Sequence, residues 1–279
     1  MTISPATTIL GKFPPIATLT LALLFGAGTQ PVQARDDPIL PPGLVAGGPG
    51  RVVEVTDGDT VILDDGRTVR LVGIQAPKLP LGRPGFRTWP LAPEARRALE
   101  TLALDRRVTP HFGGARMDRH GRLLAHLARD DGLWLQGAML ARGLARVYTF
   151  EDNRAVAREM YALESTARNA KRGIWSHPYY RIRTTEEAGG HVGGFELVEG
   201  RILDVAMVRG RGYLNFGADW RTDFTIVVPK RAGATFRAVF GRKMEKLQGK
   251  RVRVRGWLRR YNGPMIESTH PEQIEVLEP

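Results

Sequence analysis

From Arg51 onward the chain alternates. Val53 and Val55, Val61 and Leu63, and Val69 and Leu71 stand between polar neighbours, a period of two that predicts three short strands. Asp57-Gly58 and Asp65-Gly66 fall between these runs as turn dipeptides, so the strands form a meander. Pro93-Glu94 then opens a helix whose apolar face repeats at Ala95, Leu99 and Leu102. A hairpin follows, with arms over 107–112 and 123–127. A short helix is expected from Leu133 to Gly143 and a longer one from Asn153 to Arg172. In the longer one Val156, Met160, Leu163, Ala167 and Ala170 recur at spacings of four and three. Three strands, a helix, two strands and two helices is the order of an OB-type five-stranded barrel with appended helices.

The pattern lapses over 35–50 and again over 177–194, both rich in Pro and Gly, and both segments read as linkers. After the second, apolar alternation resumes over 198–207, 213–216, 224–228, 252–258 and 274–277, with a helix expected over 232–247. Five strands and one intervening helix predict a second, small β-rich domain of OB-like type. The whole is α+β and mainly β: a domain over 51–176 and another over 195–279. On the last long strand Arg251, Arg253 and Arg255 alternate with Val252 and Val254, which places guanidinium groups along one face.

Residues 1–34 stand apart from this plan. Lys12 precedes an apolar run from Ile16 to Ala27, and Val32-Gln33-Ala34 offers small residues where a signal peptidase reads, so a signal peptide ending before Arg35 is expected. The run is shorter than the roughly 20 residues that a membrane-spanning helix requires. A periplasmic or secreted protein is the expectation.

Composition adds two constraints. The chain has no cysteine, which excludes disulfides and thiolate metal sites. Its formal charge is +12 and its pI about 10.5, which points to an anionic partner: nucleic acid, anionic lipid or a surface polyanion. The six histidines show no zinc-ligand spacing.

Five stretches carry a more specific signal. They are Val55-Thr56-Asp57-Gly58-Asp59-Thr60-Val61, the run from Val69 through Gly73-Ile74-Gln75-Ala76-Pro77, Asp118-Arg119-His120-Gly121-Arg122-Leu123, Gly143-Leu144-Ala145-Arg146-Val147-Tyr148 and Gly173-Ile174-Trp175. In this order and spacing, residues 51–176 resemble the thermonuclease, or staphylococcal-nuclease-like, family. The resemblance implies phosphodiester hydrolysis in nucleic acid, with a calcium ion and two arginines holding the phosphate and a glutamate as general base. Carried over position by position, it makes Asp59 a calcium ligand and catalytic residue and makes Arg70 and Arg122 the phosphate-gripping arginines. Ala76 falls where the family turns a backbone carbonyl toward the metal. Tyr148 falls near a tyrosine of the nucleotide pocket. The loop 79–90 takes the place of a mobile loop beside the active site, with Arg87 among its basic and aromatic side chains. Such chemistry suits a phosphodiester, because guanidinium groups hold the oxyanion bidentately and calcium collects carboxylate and carbonyl oxygens.

Two positions depart from the family. Gln75 stands in place of the second calcium aspartate and Lys78 in place of the general-base glutamate. The calcium site is therefore degraded, and Lys78 joins the substrate-binding candidates. Asp59, Arg70, Lys78 and Arg122 carry a net +2 where the family constellation carries −1, so an anion-seeking pocket is expected. Three functions follow from these residues: an altered phosphodiesterase in which Asp59, with Glu94 or Asp118 nearby, replaces the missing base; a phosphate- or nucleic-acid-binding module without hydrolysis; and an envelope scaffold whose basic faces meet polyanions.

Overall fold

Aliphatic residues recur on one side of each early strand, and burying them closes a barrel. The computed structural model describes residues 1, 2, 4, 37–241 and 244–277, so the expected signal peptide (1–34) lies, but for three positions, outside the described residues. The first half contains β1 (Val45–Ala46), β2 (Gly50–Asp57), β3 (Thr60–Leu63), β4 (Thr68–Leu71), β5 (Gly73–Gln75), β6 (Arg107–Phe112) and β7 (Leu123–Arg129). β2, β3 and β4 form the expected antiparallel meander. β4 runs parallel to β7, β7 pairs with β6, and β6 returns to β2, which completes the ring. Val52, Val61, Leu63, Val69, Leu71, Val108 and Leu127 fill it.

Two expectations shift. Along β2 the register against β3 slips between Val52 and Glu54, so Val52 and Val55 turn inward and Val53 lies at the surface; a bulge has replaced the simple alternation. The segment before the barrel is also more ordered than a linker: β1 pairs with β6, and the Arg67 guanidinium donates to the carbonyls of Gly48 and Pro49.

Helix α1 (Ala92–Ala103) connects β5 to β6 and packs on β2 through Ala95, Leu99 and Leu102. After the barrel come α2 (Leu135–Ala141), β8 (Arg146–Tyr148), which pairs with β5, and α3 (Ala157–Asn169). The long helix begins four residues later than its apolar stripe predicts, because Val156 adopts a left-handed φ of 54°. Gly143 ends the turn after α2, and Gly173 approaches it so closely that a Cβ on Gly143 would meet the Arg172 carbonyl oxygen at 2.2 Å. Only glycine permits that contact. None of the described helices is long and apolar enough to cross a membrane.

The second half repeats the path. Its elements are β9 (Arg183–Thr184), β10 (Phe195–Arg201), β11 (Asp204–Val208), β12 (Arg211–Asn215), β13 (Thr225–Val228), α4 (Gly233–Phe240), β14 (Arg251–Tyr261), β15 (Gly263–Glu267) and β16 (Ile274–Val276). The strand expected over 198–207 is broken at Ile202 and Leu203 into β10, which pairs with β14, and β11, which pairs with β12. β13 and β15 are parallel and α4 lies between β13 and β14, as α1 lies between the meander and β6. The OB-type order therefore occurs twice, around two separate cores.

The barrels meet through charge. Arg255, expected on an open basic face, is 1% exposed. Its guanidinium donates to both Glu164 carboxylate oxygens (3.0 and 2.8 Å), to Glu275 (2.6 Å) and to the Val147 carbonyl (3.0 Å). Arg253 pairs with Glu199 and Glu275, and Arg251 with Glu199. Arg251, Arg253 and Arg255 are thus each neutralised within the molecule. Thr149 Oγ1 with His270 Nε2 (2.8 Å) and Tyr148 with Trp257 Nε1 (3.0 Å) add polar contacts across the same junction.

Candidate functional site

The β2–β3 turn builds the first part of the site. Asp57 closes β2, and its Oδ1 accepts from the Asp59 amide at 3.1 Å, which fixes the turn. Gly58 sits so tightly under α1 and β5 that a Cβ would lie 2.7 Å from the Ala76 Cβ and 2.8 Å from the Ala95 Cβ. This packing brings Asp59, fully buried, against the chain that follows β5. Its Oδ2 accepts from the Ala76 amide at 2.8 Å.

Lys78 and Arg70 converge on that carboxylate. Lys78 Nζ lies 2.5 and 2.7 Å from the two Asp59 oxygens and 3.1 Å from Asp57 Oδ2. Arg70 is on β4 opposite Thr60, and its Nη2 is 3.3 Å from Asp59 Oδ2. The Arg70 guanidinium also donates to the carbonyls of Ile74 (2.6 Å), Leu71 and Asp59. Burial works to raise the Asp59 carboxyl, but the Arg70 and Lys78 charges outweigh it and hold Asp59 at about 2. Asp57 moves the other way: burial first, then the neighbouring Asp59 charge, push it above the usual carboxylate range despite Lys78.

Arg122 joins from the adjoining strand. It immediately precedes β7, whose Leu123 and Leu124 pair with Val69 and Arg70. Strand alternation therefore puts its side chain on the outward face that carries Arg70. There it pairs with Asp118, Nη2 and Nε lying 2.7 and 2.8 Å from Oδ2. With Asp57 and Asp118 counted, three carboxylates oppose three cations, and the expected net +2 becomes zero. Sequence reasoning missed Asp57 as a participant, although it belongs to the same Asp57-Gly58-Asp59 turn.

The other expected residues lie apart from this cluster. Tyr148 faces the second barrel, stacked edge-on against Phe150 and Phe195 and bonded to Trp257. Arg87 is exposed in the loop after Lys78. That loop folds on itself: Trp89 donates its amide to the Lys78 carbonyl, Phe86 stacks on Trp89, and Arg83 lies 3.7 Å from the centre of the Phe86 ring. Glu94 is paired with Arg97 on the exposed side of α1. Gln75 is buried, with its amide oxygen accepting from Arg146 Nε and Nη2 at 3.0 and 2.8 Å; this partner too was not foreseen.

These residues do not fit calcium, the ion that the resemblance implies. Calcium takes six to eight oxygens at about 2.3–2.6 Å. Here both Asp59 oxygens are engaged by an ammonium group and the Gln75 oxygen by a guanidinium. A cation is already present in the carboxylate pair, and it is covalently part of the chain.

Fold and site together define an OB-barrel protein with a cluster of buried, paired charges on its first barrel. Residues 68–177 match the family model described as staphylococcal nuclease homologue. A protein named "Uncharacterized endonuclease" from Escherichia coli O157:H7 is 33% identical over 130 residues, 46% of this chain and 76% of that protein. The "Thermonuclease" of Staphylococcus hyicus is 29% identical over 46% of this chain and 75% of its own length. "Protein ParB" of Escherichia coli is 34% identical over 47% and 73%. The chain belongs to the staphylococcal nuclease family.

Proposed function

We propose that this protein binds the phosphodiester backbone of nucleic acid at the mouth of its first barrel, without calcium and without the family's metal-assisted hydrolysis. The observation that carries this reading is the Lys78 ammonium on both oxygens of Asp59. It supplies a positive charge where a metal would otherwise sit, and a protonated amine held by two carboxylates cannot take a proton from water. Arg122 is the group best placed to reach substrate. Its partner Asp118 is near the surface, and a half-exposed ion pair of this kind is worth only about 0–1 kcal/mol, so a phosphate can displace it.

A second reading, hydrolysis independent of metal, is favoured by Asp57. A buried carboxyl raised above its ordinary range is a stronger base than a free one. The names of the relatives, endonuclease and thermonuclease, also support action on nucleic acid. Export is part of the proposal, supported by the apolar run 16–27 before Val32-Gln33-Ala34; amino-terminal sequencing of the exported protein should begin at Arg35.

The decisive experiment pairs the native chain with Lys78→Glu/Gln75→Asp. The native chain should bind single-stranded DNA in EDTA, with affinity that falls steeply with salt and is weakened in Arg122→Ala. Added calcium should elicit no cleavage until the two acidic residues are restored. Calcium-stimulated cleavage by the native chain would overturn the reading. Cleavage in EDTA that is lost in Asp57→Asn would establish the second one.

A further inference from the structure

The outward face of the second barrel is unlike its inward one. Along β12 and β13, Leu214 and Ile226 point into the core, and the alternate positions form rows across the sheet. One row sets Asn215, Thr225 and Met265 side by side, and the next sets Ala206, Tyr213 and Val227. Asn215, Thr225, Val227 and Met265 are buried at the foot of these rows, while Ala206 and Tyr213 are half-buried. They floor a groove of about 440 Å³, with a second lobe of about 240 Å³ that shares Tyr213, Val227, Tyr261 and Met265.

Two aromatic side chains stand at its margins. Trp220, in the β12–β13 loop, is 52% exposed, and Tyr261, at the β14–β15 turn, is 67% exposed. Large rings left this open are not serving the core. Arg209 and Arg211 flank the β11–β12 turn, and Arg259 and Arg260 lie beside Tyr261. All four are exposed, and among the described residues none has a hydrogen-bond or ion-pair partner. The contrast with Arg251, Arg253 and Arg255 earlier on β14, each matched to a glutamate, is sharp. Free guanidinium groups attract anions without first breaking a pair.

We propose that this groove binds single-stranded nucleic acid. The ligand must offer repeated negative charge to the arginines and flat π surfaces to Trp220, Tyr213 and Tyr261. A single strand offers both at every nucleotide, whereas a duplex hides the faces of its bases and a sulfated polysaccharide or lipid headgroup has none. At the end of the groove the Asp204 carboxylate, 3.4 Å from Asn215 Nδ2, is an acceptor for base amino groups. The face between strands and loops of an OB barrel is suited to this use, since its width admits an extended strand. This site is separate from the first-barrel pocket and does not rest on it.

Fluorescence anisotropy of the whole chain with a labelled short oligodeoxycytidylate, in EDTA and in an Arg122→Ala background, isolates the groove. Trp220→Ala with Tyr261→Ala should weaken binding by about 30-fold with an unchanged melting transition. Arg259→Ser with Arg260→Ser, which touches no packed residue, should reduce the slope of log affinity against log salt by about 1.4. Affinity unchanged in both double variants would overturn the proposal while leaving the first-barrel reading intact. Heparin binding as tight as the oligonucleotide's, and equally indifferent to loss of the rings, would overturn it in favour of a general polyanion surface. Loss of binding in the Arg122→Ala background alone would assign all nucleic-acid affinity to the first barrel and overturn it too.

Discussion

On the first barrel Asp57 and Asp59 share Lys78, and Arg70 pairs with Asp59; between the barrels Glu164 and Glu275 share Arg255. Both clusters bury carboxylates against cations, yet they differ in access. The Arg255 side chain is 1% exposed and that of Lys78 19%. Around Arg255 the ring of Tyr161 and the Val147 carbonyl complete the enclosure. Burial opposes ionisation of Glu164, but Arg255 overrides it and holds the carboxyl below its usual range. Glu164 is fully buried and Arg255 nearly so, while Glu275 reaches the surface at the edge of the cluster. At Lys78 the amine lies on top of its carboxylates, on a loop that leads to the surface. The first arrangement is suited to holding two barrels in register. The second is suited to meeting a ligand.

Breaking the sealed cluster should have the larger effect. Arg255→Ala takes from the buried Glu164 its bidentate partner and leaves Arg168 as its remaining ion pair, while Glu275 keeps Arg253; removing one partner of a buried pair costs about 3–5 kcal/mol. Urea denaturation should show that loss in midpoint. A loss below about 1 kcal/mol would mean that water enters the junction and that the two clusters are alike.

Lys78→Met tests the open cluster. Partial exposure lets the two aspartates recover some hydration, so the expected cost is smaller, about 2–3 kcal/mol at neutral pH. The sharper sign is ionic. With the amine gone, Asp57 and Asp59 become a carboxylate pair for a divalent cation, so calcium should raise the melting temperature of Lys78→Met and leave that of the native chain unmoved. A calcium shift in the native chain would show that Lys78 swings aside and that the ammonium is no substitute for a metal.

Much of this could be read from residue order alone, and the misses have physical causes. Apolar alternation and turn dipeptides gave the first barrel, and alternation gave four strands of the second, because their inward residues are aliphatic; β15, which closes the second barrel, was not foreseen, and the strand expected over 274–277 is β16, off the ring. The motif spacing brought Asp59, Arg70 and Lys78 to one place. Partner choice was not legible. Asp118 neutralises Arg122, Arg146 takes the Gln75 amide, and the glutamates that silence the β14 arginines come from positions 164, 199 and 275. Charge counted along a chain says nothing of which opposite charge the fold will deliver from far away. The basic face of β14 was therefore overestimated, while the unpaired arginines of the opposite groove carried no periodic signal at all.

The smallest effect concerns acid, and it separates two aspartates within one turn. Asp59 titrates at about 2 in the folded chain against 3.8 when unfolded, so its ionised form favours folding. That contribution, of order 2 kcal/mol, is complete above about pH 4 and is lost as pH falls through about 2. Asp57 is shifted upward, which reverses the sign: its contribution is present below 3.8 and is lost as pH rises through its folded value. At pH 7, Asp59→Asn should therefore lower stability by more than Asp57→Asn, although both remove one carboxylate from Lys78. As pH approaches 2 the gap between Asp59→Asn and the native chain should close. Equal penalties for the two aspartate variants at pH 7 would mean that Lys78 divides its charge evenly. The open cluster would then be a symmetric ion pair with no carboxyl left raised enough to accept a proton, and metal-free hydrolysis through Asp57 would lose its support.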